Sequence, residues 1–504
     1  MGVRSSIARG TLLLTLANLA MRAAAMVFQV YLSGQVGAAG IGLLQLILTV
    51  HAFAVTVGTS GIRVAAMYLS AEEYGLRRFG GIRQAMVRCI AAGLALSSVV
   101  GAVMAVFAEP LALYWVKDLQ ATASLRLLGV TLPLTCLSSI LAGYFTASDQ
   151  IRRLVAVEIG DRIATVALTV WLLKLGVSGD LSHACVSIVG GGALASLGSV
   201  AVLLVMLLRD FRRYGTDDRP LGMGRRLLNL CVPVALNDYL RSGLGTLEQF
   251  LIPYGLTRSG GSRTTALADY GTIHGMVFPV LLFPSTVLYA VADLLVPELA
   301  RCRAEKNQAR IRHLTETCLH MGILFSALVA GLIHVLAEPL GFLLYDSTEA
   351  GRYLRLFAPL VPILYLDCIV DGMHKGMGQQ VYCVRVNTLT NFLDVILLFL
   401  LLPRYGIGGY YFTYTFTHVL NFFLSLRRLL RISGDVPILQ TTVGAFGCVL
   451  LSGMAIGHFI PLSNRWSSVL ICGGIYLVTT VLLLQLTGSW KESDTRHLRQ
   501  MVGR

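Results

Sequence analysis

The sequence predicts an all-α integral membrane protein of about fourteen transmembrane helices, arranged as two parallel-repeat lobes with two helices appended at the C-terminal end. Three observations predict it. The 504 residues are 55% hydrophobic and 13% charged, against about 25% charged in a soluble domain, so polar groups cannot cover a globular surface and lipid must be the main solvent. Apolar stretches of about twenty residues recur along the whole chain, the length a helix needs to cross a bilayer. The chain also repeats itself: "AEPLALYWVKDLQATASLRLLGVTLPL" from Ala108 answers "AEPLGFLLYDSTEAGRYLRLFAPLVPI" from Ala337. The offset of 229 (337 less 108) also pairs Ile82 with Ile311, Cys89 with Cys318, Gly93 with Gly322, Gly143 with Gly372 and Gln150 with Gln379. A match over roughly seventy ungapped positions is a duplication.

Taken in order, the first apolar stretch follows Arg4 and Arg9 and so looks like a leader. It contains Arg22 and no clear small-residue cleavage site, so an uncleaved first span is expected. Seven spans centre near residues ~21, 55, 97, 135, 164, 196 and 240, and seven more near ~284, 324, 364, 393, 418, 449 and 477. Alternate loops hold Arg77-Arg78-Arg83, Arg152-Arg153, the run from Arg209, "RCRAEKNQARIR" from Arg301, Lys375, Arg427-Arg428-Arg431 and the tail from Lys491. About 28 of the 41 Lys and Arg fall on that side and about 8 on the other, so both termini are expected in the cytoplasm. Six spans separate the two AEPL segments, which gives the copies one orientation. The expected division is an N-lobe at 1–208, a cytoplasmic linker at 209–226, a C-lobe at 227–432, and appended spans with a cytoplasmic tail at 433–504. Two like-oriented lobes around a cleft suit a transporter.

The net charge of +14 does not point to nucleic acid, because the cations sit in short clusters between apolar spans. The ten cysteines are scattered singly without metal or disulfide spacing and read as packing residues. Glycine is abundant, as in "GGG" from Gly190 and "GG" from Gly473, which suits close helix packing in lipid. No phosphate-binding loop, H-E-x-x-H or G-x-S-x-G occurs, and the outer loops are short, so no enzyme is expected.

An ionisable group inside the bilayer costs about 3 kcal/mol or more and normally faces a cavity or a partner. Arg22 lies near the middle of the first span and Arg63 towards the cytoplasmic end of the second; each is a candidate cation for an anionic substrate or a structural partner for an acid. In the seventh span Asp238, Arg241 and Glu248 fall within about 80° of one another on one helical face. That face either lines the cleft or carries a mutually neutralised Asp238–Arg241 pair. Asn391 and Asp394 in the eleventh span, with Asp238, offer oxygen ligands to a hard cation, or form a structural pair. Asp367, Asp371 and His374 share a face of the tenth span, as Glu158, Asp161 and Arg162 do in the fifth; both sets are expected at gates or solvated ends. His51, His334 and His418 read as satisfied bundle histidines.

Ordered segments then carry a resemblance. "GAAGIGLLQLILTVHAFAVTVGTSGIRVAAMYLSAEEYG" from Gly37, "YGTIHGMVFPVLLFPS" from Tyr270 and "LLVPELARCRAEKNQARIRHLTE" from Leu294 resemble stage V sporulation protein B-like polysaccharide biosynthesis flippases. So do "LRLFAPLVPILYLDCIVDGMHKGMGQ" from Leu354 and "GIGGYYFTYTFTHVLNFFLSLRRLLR" from Gly406. These belong to the multidrug/oligosaccharidyl-lipid/polysaccharide (MOP) exporter superfamily, with lipid II flippases and MATE transporters. The resemblance implies a two-lobed bundle, alternating access and lipid-linked saccharide precursors as cargo. Related lipid II flippases carry essential arginines in the first span; Arg22 falls at the first of them and Phe28 at the second. Arg63 stands where sporulation-type members have proline, and Glu248 where many have aspartate. Some relatives bind sodium between the seventh and eleventh spans.

The expected function is therefore export of an undecaprenyl-diphosphate-linked saccharide from the inner to the outer leaflet of a bacterial plasma membrane. Arg22, Arg63, Arg241 and Glu248 would meet the cargo, and Asp238, Asn391 and Asp394 would couple to Na+ or H+. No cofactor or metal is expected. The expected partners are membrane lipids and the lipid-linked saccharide; the chain would act as a monomer, beside envelope-synthesis enzymes. Two other readings stand at this point: a cation-coupled exporter of drugs or metabolites, and a non-transporting scaffold for envelope synthesis.

Overall fold

A computed structural model describes residues 2–175, 180–213, 222–434, 444, 446–449, 451–453 and 466–487, the side chains before residue 20 and that of residue 213 excepted. The middle of the expected linker, most of the expected thirteenth span and the C-terminal tail lie outside the described residues. The described chain is helical throughout, as apolar segments in lipid require if every backbone polar group is to be satisfied within its own segment.

The first helix, α1 (Gly2–Thr59), is interrupted at Gly37, where φ is 68° and ψ 176°. α2 (Ile62–Gly75) follows a second break at Ser60–Gly61. α3 (Phe79–Val106), α4 (Thr122–Ala147), α5 (Ile151–Leu175), α6 (Leu181–Arg213) and α7 (Met223–Arg258) come next. α8 (Arg263–Leu282) contains a π-helical turn at Thr272–Val277 and bends by 59° into α9 (Ser285–Ala304). α10 (Gln308–Tyr345), α11 (Thr348–Phe357), α12 (Val361–Gly376), α13 (Gln380–Ser433, interrupted at Gly406) and α14 (Trp466–Leu486) complete the described chain. Side-chain caps start three of these runs: Ser262, Asn307 and Ser347 accept from the amides of Thr265, Arg310 and Ala350.

Among the described residues, eight helices are long and apolar enough to cross a membrane, or nine if the bent pair α8–α9 counts as one span. The sequence reading of about fourteen differs for physical reasons. α1 and α13 are each two helical stretches joined at a glycine break, so each, counted once, holds two of the expected crossings. α5 and α7 are 25 and 36 residues long, but both carry the mid-helix charges discussed below.

Two compact units result: Ala39–Tyr254, and Met1–Ala38 together with Gly255–Arg504. The chain thus passes between units just after Gly37 and again near the end of α7 after Pro253. The first stretch of α1 belongs with the later half of the sequence, and most of α7 with the earlier half.

Within each unit the duplication is visible contact by contact. Gly93 packs against Cys136 and Ile140, and Gly322 against Leu366 and Ile369; the two isoleucines are themselves 229 apart. A Cβ on Gly143 would lie 2.8 Å from the Arg63 carbonyl oxygen, and one on Gly372 2.8 Å from the Cβ of Ala292. Arg63 and Ala292 are again equivalents, so α2 crosses α4 as α9 crosses α12. Left-handed residues recur in register too: Arg77 and Lys306, Lys117 and Asp346, Asp149 and Gly378. Gly191 sits so close to Thr169 that any side chain there would overlap it, which joins α5 to α6. All ten cysteines are free thiols, nine of them buried.

Candidate functional site

Each unit places charged and polar groups on the helices that sequence reasoning singled out.

In the unit containing Gly255–Arg504, Arg22 projects from the first stretch of α1 and is exposed. Its Nη1 donates to the Thr286 hydroxyl at 3.3 Å, and its guanidinium carbon lies 5.5 Å from the Tyr289 ring centroid. Thr286 is buried and donates its own proton to the Phe283 carbonyl at 2.7 Å, so its oxygen is left as an acceptor for the arginine. Both residues sit in the first turns of α9, directly after the bend. Among the described residues Arg22 forms no ion pair, so its charge is held by neutral groups.

The same unit carries a buried polar ladder. Thr417 donates to Asp394 at 2.7 Å; Asn421 donates to both Asp367 oxygens at 3.2 and 3.3 Å and accepts from Thr390 at 3.4 Å. The ladder joins α12 to both stretches of α13. Thr413, Thr417, Asn421 and Ser425 are all buried at four-residue spacing, one stripe of a helix. His374 is fully buried, its Nδ1–H donating to the Val370 carbonyl at 2.9 Å. Its Nε2 and one oxygen of Asp371 are buried without a hydrogen-bond partner. Asn391 is half-buried on α13, three residues before Asp394.

In the unit Ala39–Tyr254, α7 meets the second stretch of α1 around the Ser60–Gly61 break. Ser60 donates to Asp238 at 2.6 Å, Tyr239 to the Val57 carbonyl at 3.0 Å, and Ser242 to the Thr56 hydroxyl at 3.2 Å. Gly61, with φ 76°, lies against the Cys231 backbone closely enough to exclude any side chain. The broken helix leaves carbonyls without intrahelical partners, and the α7 side chains take one of them up. Asp238 therefore pairs with a hydroxyl and not with Arg241. Arg241 and Arg63 are both exposed and, among the described residues, without an acidic partner. Glu248 is half-buried further along α7.

At the end of α2, Glu72 and the fully buried Glu73 both bind Arg226 from the start of α7, at 2.5 and 3.0 Å. Sequence reading had no signal for this clamp beyond the charges themselves. On α5, Glu158 and Arg162 are exposed and Asp161 half-buried, with no ion pair among them. His418 bonds the Tyr414 carbonyl of its own helix and His334 that of Arg355, as satisfied bundle histidines do, whereas the His51 Nδ1 is buried without a partner. Among the described residues no three His, Cys, Asp or Glu are grouped as a metal site. Asp238 and Asp394 belong to different units, each with a hydroxyl partner of its own.

The sequence model for the polysaccharide biosynthesis protein family matches residues 7–302, more than half of the chain. The chain belongs to that family. A second model, MatE, matches residues 264–400 of this family member. Stage V sporulation protein B of Bacillus subtilis (strain 168) is 20% identical over 410 residues, 79% of this chain and 78% of that protein. Among solved structures, the inward closed conformation of the lipid II flippase MurJ aligns with a TM-score of 0.65 at 12% identity, covering 94% of this chain and 99% of that one. An inward-facing multidrug resistance MATE family transporter of the MOP superfamily aligns with a TM-score of 0.59 at 14% identity, covering 83% and 95%. At these identities the structures share the fold. The family member is thus a multi-pass helical membrane protein that shares its fold with those transporters.

Proposed function

We propose that the protein is an alternating-access flippase for an undecaprenyl-diphosphate-linked saccharide, a cell-wall or polysaccharide precursor of the lipid II type. It would carry the head group from the inner to the outer leaflet of the bacterial plasma membrane, with both termini cytoplasmic. The observation that carries the reading is Arg22: a cation on an apolar span whose neighbours among the described residues are neutral. A structural arginine in lipid would be expected to carry a carboxylate; a site for a dianion has to leave the charge available. Arg63 and Arg241, also without acidic partners, supply further positive charge to the diphosphate, and Glu248 meets the polar head group. Membership of the polysaccharide biosynthesis family and the likeness to stage V sporulation protein B and to MurJ support the same cargo class.

The lipid tail stays in the bilayer while the head group crosses the membrane. Glu158, Asp161 and Arg162, and Asp367, Asp371 and His374, act at the gates. Each charge moved through 100 mV contributes about 2.3 kcal/mol, and an inside-negative potential favours an anion moving outward. A dianionic head group therefore gains roughly 4–5 kcal/mol per 100 mV, so the potential alone can drive export. Coupling to Na+ or H+ through Asp238, Asn391 and Asp394 would add to it. The protein works as a monomer beside envelope-synthesis enzymes.

The MatE match over residues 264–400 and the acids Asp367, Asp371 and Asp394 favour a second reading, a cation-coupled drug or metabolite exporter. Binding decides between them. Purified protein should bind a synthetic undecaprenyl-diphosphate glycan saturably, lose it on Arg22→Ala, and ignore a cationic drug as competitor. Binding of the drug without the glycolipid would transfer the assignment to the second reading.

A further inference from the structure

The surroundings of Arg22 do more than tolerate a charge. An arginine presents five N–H donors in a planar fork. Here one of them, on Nη1, is spent on the Thr286 hydroxyl, and the guanidinium lies over the Tyr289 ring. Among the described residues no protein group engages the Nε–Nη2 edge. That edge offers two parallel N–H groups, the geometry that binds two oxygens of one phosphoryl group.

The acceptor is itself fixed. Thr286 is buried and its hydroxyl proton is committed to Phe283, so the oxygen can only accept. Thr286 and Tyr289 are three residues apart on one helix and therefore share a face, which fixes the fork in both tilt and direction. Neither group carries charge. A carboxylate in the same place would fix the arginine equally well, but would compete with the cargo.

We propose that Thr286 and Tyr289 are positioning residues: they orient Arg22 without neutralising it, so that its Nε–Nη2 edge faces a phosphoryl group. This rests on the proposed lipid-diphosphate cargo and names the part of that cargo which Arg22 reads. The sugar and the polyprenyl chain are left to other residues.

The test uses the full-length protein in nanodiscs, with undecaprenyl diphosphate as probe and undecaprenol as the control lacking phosphate. Thr286→Val removes the acceptor and keeps the shape; Thr286→Ser keeps the acceptor. Tyr289→Leu removes the ring; Tyr289→Phe keeps it. A cation–π contact or a hydrogen bond to a charged group corresponds to about three- to thirty-fold in affinity. Thr286→Val and Tyr289→Leu should each weaken diphosphate binding by that factor. Thr286→Ser and Tyr289→Phe should stay within about twofold, and undecaprenol binding should be the same in all.

If Thr286→Val and Tyr289→Leu bind like the wild type while Arg22→Ala does not, the positioning role is wrong and the cargo assignment stands. Equal losses in the conservative and disruptive variants would mean a general packing defect, and also overturn it. A wild-type protein that does not prefer undecaprenyl diphosphate to undecaprenol would remove both the cargo and the positioning role.

Discussion

Where the first stretch of α1 meets α9, an arginine reaches a threonine and a tyrosine; where α7 meets the second stretch of α1, an aspartate reaches a serine and the next residue, a tyrosine, reaches a carbonyl. The receiving positions correspond through the repeat: Tyr289 lies 229 residues after Ser60, and Thr286 the same distance after Val57. Both junctions lie at a break in the receiving span, at Ser60–Gly61 in one unit and before Ser285 in the other. Each unit thus completes itself with the first helix of the opposite half, at equivalent sites, but with charges of opposite sign. What the halves share is backbone: glycine contacts, left-handed turns and helix breaks. What distinguishes them is which ion occupies the junction, and that is where an asymmetric task can be placed on a near-symmetric frame.

The comparison can be broken at several strengths. The largest effect is expected at the junctions. Arg22→Ala should abolish flipping in a reconstituted assay while expression and membrane insertion stay normal; unimpaired flipping would make the cation a structural one. Asp238→Ala should lower activity and also remove the acceptor of Ser60, at about 1–3 kcal/mol for a hydrogen bond to a charged group. Asp238→Asn should recover the stability measured by thermal melting, but not the full activity. Full recovery of both would reduce that junction to a hydrogen bond.

An intermediate effect is expected at the shared frame. Gly143→Val and Gly372→Val should destabilise their units to a similar degree, about 1–3 kcal/mol for overpacking a close helix crossing. A silent substitution at either position would show that the two crossings are not equivalent.

The smallest effect has opposite signs in the two units. Gln150 donates to the buried Asp210 at 2.9 Å and accepts from the exposed Arg153 at 2.8 Å, whereas its equivalent Gln379 accepts from Arg428 at 2.9 Å. The amide serves both because it has a donor and an acceptor. Gln150→Glu should therefore lower the melting temperature, because the buried Asp210 exchanges a donor for a second carboxylate and the exposed Arg153 offsets that only in part. Gln379→Glu should leave it unchanged or raise it, a gain of about 0–1 kcal/mol for a partly exposed pair. Shifts of the same sign would contradict the geometry.

Much of this was legible in the sequence. The repeat offset paired the glycines that sit at equivalent helix crossings, and charges within apolar spans marked Arg22, Asp238 and Asp394, while Asp367 was expected at a gate and lies in the buried ladder. The left-handed pairs were not legible locally, since five of the six residues are not glycine; only the repeat relates them. Thr286 and Tyr289 went unread because a hydroxyl and a ring in an apolar span look like ordinary packing, and their partner lies 264 residues away in sequence from Thr286. The stripe of Thr413, Thr417, Asn421 and Ser425 was readable by its four-residue period. Its individual members are weakly polar and carry no formal charge. That each half lends its first helix to the other unit has no sequence signal, because apolar helices in lipid carry little information about which neighbour they meet.

That exchange sets a timetable for the protein's birth. Residues up to Ala38 leave the ribosome first, yet they belong with the segment that begins at Gly255. At roughly 5–20 residues per second the intervening chain takes on the order of ten to forty seconds to synthesise. Throughout that interval Arg22 sits in a span whose partners on α9 do not exist. The nascent helix has to carry an unsupported cation through the entire making of the other unit, so the most exacting moment for Arg22 comes before there is any cargo to bind.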